Sequence, residues 1–127
     1  MDVVNRDRVP SFITVDGSEI RELMAYRNSC IANQSLAEAI VKPGNATTEH
    51  YHPKAEEIYY IMQGSGVIRI GEEKKEVGVQ DAVAIPPGMK HKIWNTGVDD
   101  LIFLCCCAPC YEHTDTVLTE ETTSSEE

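Results

Sequence analysis

The stretch Gly44-Asn45-Ala46-Thr47-Thr48-Glu49-His50-Tyr51-His52-Pro53-Lys54-Ala55-Glu56-Glu57-Ile58-Tyr59-Tyr60-Ile61-Met62-Gln63-Gly64 sets two histidines and a pair of glutamates beside a run of β-formers, between two glycines. Side chains alternate along a strand, so His50 and His52 share one face. Pro53-Lys54-Ala55-Glu56 is a short turn that brings Glu57, at the head of the next strand, back beside them. Glu57 has the phase that places Tyr59 and Ile61 on its own side. Glu56, the rival ligand, has the opposite phase.

Outward from this stretch, short apolar runs recur between turn signals. Ser35 to Val41 stops at Pro43-Gly44, and Val67 to Ile70 leads through Gly71-Glu72-Glu73 into a returning Lys74 to Val77. Asp81 to Ile85 runs into Pro86-Pro87-Gly88, His91 to Asn95 precedes Thr96-Gly97, and Leu101 to Cys107 is the last strong run. Many short strands with frequent turns predict an all-β sandwich or barrel. Ser18 to Tyr26 reads instead as one or two helical turns, although the capping-box spacing is missed by one residue.

Composition narrows the classes. A chain of 127 residues, 42% of them hydrophobic, suits one packed domain. The formal net charge of −10 argues against nucleic acid and anionic membranes as partners. No apolar run has signal-peptide length or approaches the roughly 20 residues of a spanning helix, so a cytoplasmic location is expected. The domain is expected to run from an N-terminal arm at 1–30 through a barrel at 31–112. Glu120, Glu121, Glu126 and Glu127 mark the remaining 113–127 as an acidic, solvated tail. The five cysteines are odd in number, and four crowd together as Cys105, Cys106, Cys107 and Cys110. They read as reduced packing residues rather than a disulfide framework. Cys107-Ala108-Pro109-Cys110 leaves a strand rather than opening a helix, which argues against redox use.

Of the four histidines, His50, His52 and His91 have ligand logic. Imidazoles with one carboxylate suit Fe, Mn, Co, Ni, Cu or Zn rather than Ca or Mg. Two spaced patterns complete the set. Gly44, His50, His52, Glu57 and Gly64 fit G-x5-H-x-H-x4-E-x6-G, and Pro86, Gly88, His91 and Asn95 fit P-x-G-x2-H-x3-N. Through these motifs the chain, from about Gln34 to Pro109, resembles the small single-domain cupins. One departure is Gln80, where the second motif ordinarily opens with glycine.

The resemblance implies a double-stranded β-helix, or jelly-roll barrel, holding one divalent transition metal (Fe, Mn, Ni, Zn or Co) on His50, His52, Glu57 and His91. It also implies a homodimer, and a metalloenzyme acting on a small oxygen-rich organic substrate. Cupin dioxygenases and metal-dependent isomerases or lyases are the two catalytic branches. A non-catalytic sugar- or carboxylate-binding module is the alternative, because fold alone does not fix function. Glu57 and Tyr59 are the catalytic candidates, with Glu38 or His113 as a further base. Glu38, Ile61, Ile93 and Phe103 are candidate pocket residues. Glu38 faces either inward or outward, and either face of Leu101 to Cys107 can line the pocket. Arg27 and Arg69 are the candidates to hold an anionic substrate.

Overall fold

Strict alternation of buried and less buried residues along Leu101–Ala108 and Glu56–Gln63 places both strands in the wall of a barrel, with Phe103 packed beside Ile61 by register. The computed structural model describes residues 1–120. Its strands are β1 (Phe12–Ile13), β2 (Glu19–Met24), β3 (Ser35–Val41), β4 (His50–Tyr51), β5 (Glu56–Gln63), β6 (Ser65–Ile70), β7 (Glu73–Gly78), β8 (Ala82–Ile85), β9 (His91–Asn95), β10 (Leu101–Ala108) and β11 (Val117–Leu118). They form a six-stranded sheet in the order β1-β2-β3-β10-β5-β8 and a five-stranded sheet in the order β11-β4-β9-β6-β7. All pairings are antiparallel. This is the expected jelly roll.

The inward faces meet in one core. Ile61, Ile93, Leu101 and Phe103 are fully buried, joined by Val41, Ile68 and Ile85. Each such side chain contributes about 1.5–3 kcal/mol on removal from water. Alternate residues of each strand supply these side chains. β10 therefore turns Phe103, Cys105 and Cys107 inward, with Ile102, Leu104 and Cys106 on the outside.

Turn chemistry fixes the joints. Gly64 has φ +88°, and a Cβ there would lie 2.9 Å from the Asp100 carbonyl oxygen, so only glycine fits between β5 and β6. Gln80 adopts φ 75°, the left-handed backbone that the motif's usual glycine favours, and its N–H donates to the Ile61 carbonyl. The turn survives the substitution, at the cost of a strained residue.

Three expectations change. Ser18 to Tyr26 is not helical: Glu19–Met24 is strand β2, antiparallel to β3. All six β2 residues are half-buried, so it carries no clean strand alternation. The sheets extend beyond 31–112 at both ends, through β1 and β2 and through β11. Glu120 is not merely solvated: it accepts hydrogen bonds from the Glu49 backbone and from Lys92. The rest of the expected acidic tail lies outside the described residues. Among the described residues no helix is long and apolar enough to cross a membrane.

Candidate metal centre

β4 and β9 pair His50 directly with His91, which brings two distant stretches of sequence face to face. His52 follows β4, and Glu57 comes from the start of β5 on the opposite sheet. His50, His52, His91 and Glu57 are all buried, whereas Glu56 is exposed. One ligand atom from each of the three imidazoles lies within 4.8 Å of the others. Glu57 Oε1 is 3.3 Å from His52 Nε2 and 3.6 Å from His91 Nε2.

Each ring is held from behind. Nδ1 of His50 faces the Thr48 carbonyl at 2.7 Å, that of His52 faces the Asp115 carbonyl at 3.1 Å, and that of His91 faces the Met89 carbonyl at 3.0 Å. A carbonyl can only accept, so each Nδ1 carries the proton and each Nε2 presents a lone pair. These lone pairs face a carboxylate oxygen. Glu57 Oε1 and His91 Nε2 are buried without a hydrogen-bond partner. Acceptors turned on one another without a donor repel, and a cation between them removes the repulsion. The donor set thus fits a borderline transition metal held by His50, His52, His91 and Glu57.

Without an ion, protons on Nε2 take the cation's place. Burial alone would raise the Glu57 carboxyl, but hydrogen bonding and charge from His52 and His91 then outweigh it and hold the group at about 2. His52 goes the other way: burial would lower it, and the Glu57 carboxylate raises it. Burial, then the neighbouring His91, lowers His50. The second Glu57 oxygen accepts from the Cys107 thiol at 3.2 Å. Burial, followed by the charge of Glu57, pushes the Cys105 and Cys107 thiols up. Both are therefore thiols, not thiolates.

The centre opens into a small cavity. Phe12, Ile20, Ala37, Ala39, Phe103 and Cys105 give it apolar walls. Tyr59 lines it too, its ring 4.5 Å from Phe103 between centroids, and burial with the Glu57 charge raises its phenol so that it keeps its proton. Phe103 is thus a wall residue, while Ile61 and Ile93 lie deeper in the core and do not line the cavity. Glu38 does not line it either. It points to the outer face of β3, ion-paired with Arg6 and Arg21. Arg69 is engaged by Glu49, and Arg27 by Glu22 and Glu112, and neither lines the cavity. His113 is exposed at the rim, with Nδ1 3.0 Å from the Tyr111 hydroxyl. Cys107 and Cys110 are both free.

Two contributors escaped sequence reasoning. Asp16, in the β1–β2 turn, places Oδ2 3.7 Å from His50 Nε2. The segment from Tyr111 to Thr119 straps the site: Tyr111 lines the cavity, Asp115 braces His52, and β11 pairs with β4. The only local signal was the alternating Tyr111, His113, Asp115.

A buried cluster of three imidazoles and one carboxylate inside a jelly roll defines a β-barrel protein with a candidate metal site. Residues 37–107 match the model of the cupin domain, and the chain belongs to the cupin family. It is similar to the uncharacterized protein MJ1618 of Methanocaldococcus jannaschii, with 46% identity over 90% of this chain and 91% of that one. Among solved structures, the nucleoside dehydratase Pac13 superposes with a TM-score of 0.80 at 16% identity, covering 99% of this chain and 97% of that one, which shows the fold. A predicted oxalate decarboxylase from Thermotoga maritima superposes with a TM-score of 0.74 at 25% identity, over 85% of this chain and 99% of that one.

Proposed function

We propose that this cupin is a metal-dependent enzyme of the isomerase or lyase kind, acting on a small oxygen-bearing organic molecule. One observation carries the reading: His50, His52 and Glu57 line a mostly apolar cavity, with His91 clustered behind them and with Glu57 Oε1 and His91 Nε2 buried without a partner. A divalent ion held there supplies Lewis-acid polarisation of a substrate oxygen. The chain's own residues do the rest. Phe103, Ala39 and Ile20 keep water away from the bound molecule, and Tyr59 offers a proton it does not readily lose. Cys107 engages one oxygen of Glu57, so the other faces the imidazoles. This contact orients the Glu57 carboxylate toward the imidazoles. The predicted oxalate decarboxylase among the structural neighbours supports this reading.

The implied homodimer is part of this proposal. Ile58, Tyr60 and Met62 stand exposed in a row on the outer face of β5, next to Leu104 and Cys106 by register. These three side chains carry no charge, and they form an apolar row beside Glu56 for a second copy to cover.

The test uses protein purified without a histidine tag and reconstituted separately with Fe, Mn, Co, Ni and Zn. Small ketones, polyols and phenols in D2O, without dioxygen, are followed by NMR for deuterium uptake or elimination. Exchange that requires metal supports the proposal. Oxygen consumption without anaerobic exchange would move the chain to the dioxygenase branch, and binding without either would make it a binding module.

A further inference from the structure

Asp16 has an oxygen with nothing to do. It occupies the turn between β1 and β2, closed by the Gly17 N–H donating to the Thr14 carbonyl at 3.0 Å. Asp16 Oδ1 is committed locally, accepting from the Ser18 backbone at 3.0 Å and from the Ser18 hydroxyl at 2.6 Å. Oδ2 points the other way, toward the metal centre, and among the described residues no hydrogen bond reaches it. The side chain is only 12% exposed. Oδ2 is not sealed as Glu57 Oε1 and His91 Nε2 are, so water serves it until a bound molecule displaces that water and must supply a donor in its place.

The rest of the lining narrows the class. Its charged side chains are Asp16, Glu22 and Glu57, with no lysine or arginine. Glu22 is neutralised by Arg27. Glu57 faces the imidazoles, so Asp16 is the carboxylate left to meet an arriving molecule. Next to it, Thr14 Oγ1 and the Tyr111 hydroxyl share a hydrogen bond of 3.0 Å, which gives the same wall neutral hydroxyl partners. A substrate carboxylate reaching this wall would meet like charge at short range, away from bulk water.

We propose that Asp16 Oδ2 accepts a hydrogen bond from a substrate hydroxyl beside the metal centre, so that the cavity takes uncharged, hydroxyl-bearing molecules and disfavours carboxylates. The inference rests on the metal-enzyme reading only in placing the substrate next to the metal.

Its test is binding without turnover. Cobalt-loaded wild type and Asp16→Asn are titrated with 1,2-cyclohexanediol, resorcinol and D-ribose as neutral probes and with oxalate as the anion. Asn keeps Oδ1 for Ser18 and removes the charge. At least one neutral probe should bind wild type and weaken tenfold or more in the variant, while oxalate tightens tenfold or more and cobalt content stays the same. Glu38→Gln, which removes a carboxylate outside the cavity, should change both affinities less than twofold. The proposal is overturned if no neutral probe binds wild type or if oxalate fails to tighten in Asp16→Asn. It also fails if that variant loses cobalt, which would make Asp16 a ligand, or if Glu38→Gln reproduces its effect. The expected pattern without turnover of any compound would sink only the enzyme reading, and full turnover by Asp16→Asn would sink only this inference.

Discussion

The His52 imidazole donates its Nδ1 hydrogen to the backbone carbonyl of Asp115 at 3.1 Å, across 63 residues of chain. The Asp115 carboxylate in turn accepts from the backbone N–H groups of Lys54 and Ala55, so one residue grips the loop after His52 from both ends. Asp115→Ala removes the side-chain half of this grip and frees the ring to turn. Partners behind a ligating histidine typically govern metal affinity by about 10–100-fold. Asp115→Ala should therefore weaken metal binding by about that factor, read by competition with a chromophoric chelator, while the far-ultraviolet spectrum stays that of the wild type.

The pH dependence of metal loading follows from His52 and Glu57. His52 is raised, so its proton competes with the metal beginning above the ordinary imidazole value of 6.5. Affinity should fall as pH drops through that region, and Glu57→Gln, which removes the charge that raises His52, should move the fall to lower pH. Glu57 itself is depressed from 4.5 to about 2, so its contribution to the stability of metal-free protein is fully present above pH 4.5 and is lost as pH falls toward 2. Urea titrations across this range check the sign. Metal-free protein that loses the Glu57 contribution above pH 5 would contradict the assignment.

Thiol reactivity should sort by face. Cys30 is exposed, Cys106 and Cys110 are half-buried, and Cys105 and Cys107 are buried in the barrel. In native protein a disulfide reagent at pH 8 should label Cys30 first and Cys105 and Cys107 last, because their thiolates are disfavoured as well as shielded. Mass spectrometry of quenched samples gives the order. Labelling of Cys107 in step with Cys30 would mean that Glu57 is not held as described.

Tyr60→Glu puts a charge in the middle of the apolar row Ile58, Tyr60 and Met62 without touching the cavity. If two copies meet there, the variant should shift the sedimentation coefficient from dimer to monomer and leave metal content unchanged. A wild type that sediments as a monomer at high concentration rules the interface out.

Gln80→Gly should stabilise the fold by up to about 1 kcal/mol, since it relieves a left-handed backbone but loosens the unfolded chain. Thermal unfolding measures it, and a destabilised variant would show that the Gln80 side chain contributes more than its strain costs.

The clustering of His50, His52, Glu57 and His91 was legible because strand alternation and motif spacing both constrain it. Glu38 shows where that legibility stops. In Ser35 to Val41 the larger side chains Leu36 and Ile40 favour one face for burial, yet the small residues Ala37 and Ala39 face the barrel, because Phe103 lies opposite Ala39 by register and fills the space. The choice belongs to the partner strand. Asp16 and Asp115 were invisible for a similar reason: each acts through a contact with a residue more than thirty positions away. β2 failed as a strand reading because neither of its faces is fully buried.

The pairing of β11 with β4 has a consequence for the order of events at the ribosome. His50, His52, Glu57 and His91 all leave the exit tunnel before the Asp115 carbonyl and the β11 strand that steady them. Domains assemble as their segments emerge, so the nascent barrel can close its core around Ile61 and Phe103 while His52 still lacks its brace. Tight acquisition of the ion is thus deferred until translation has passed the strap, and a chain stalled before residue 115 would display the whole motif yet hold metal poorly.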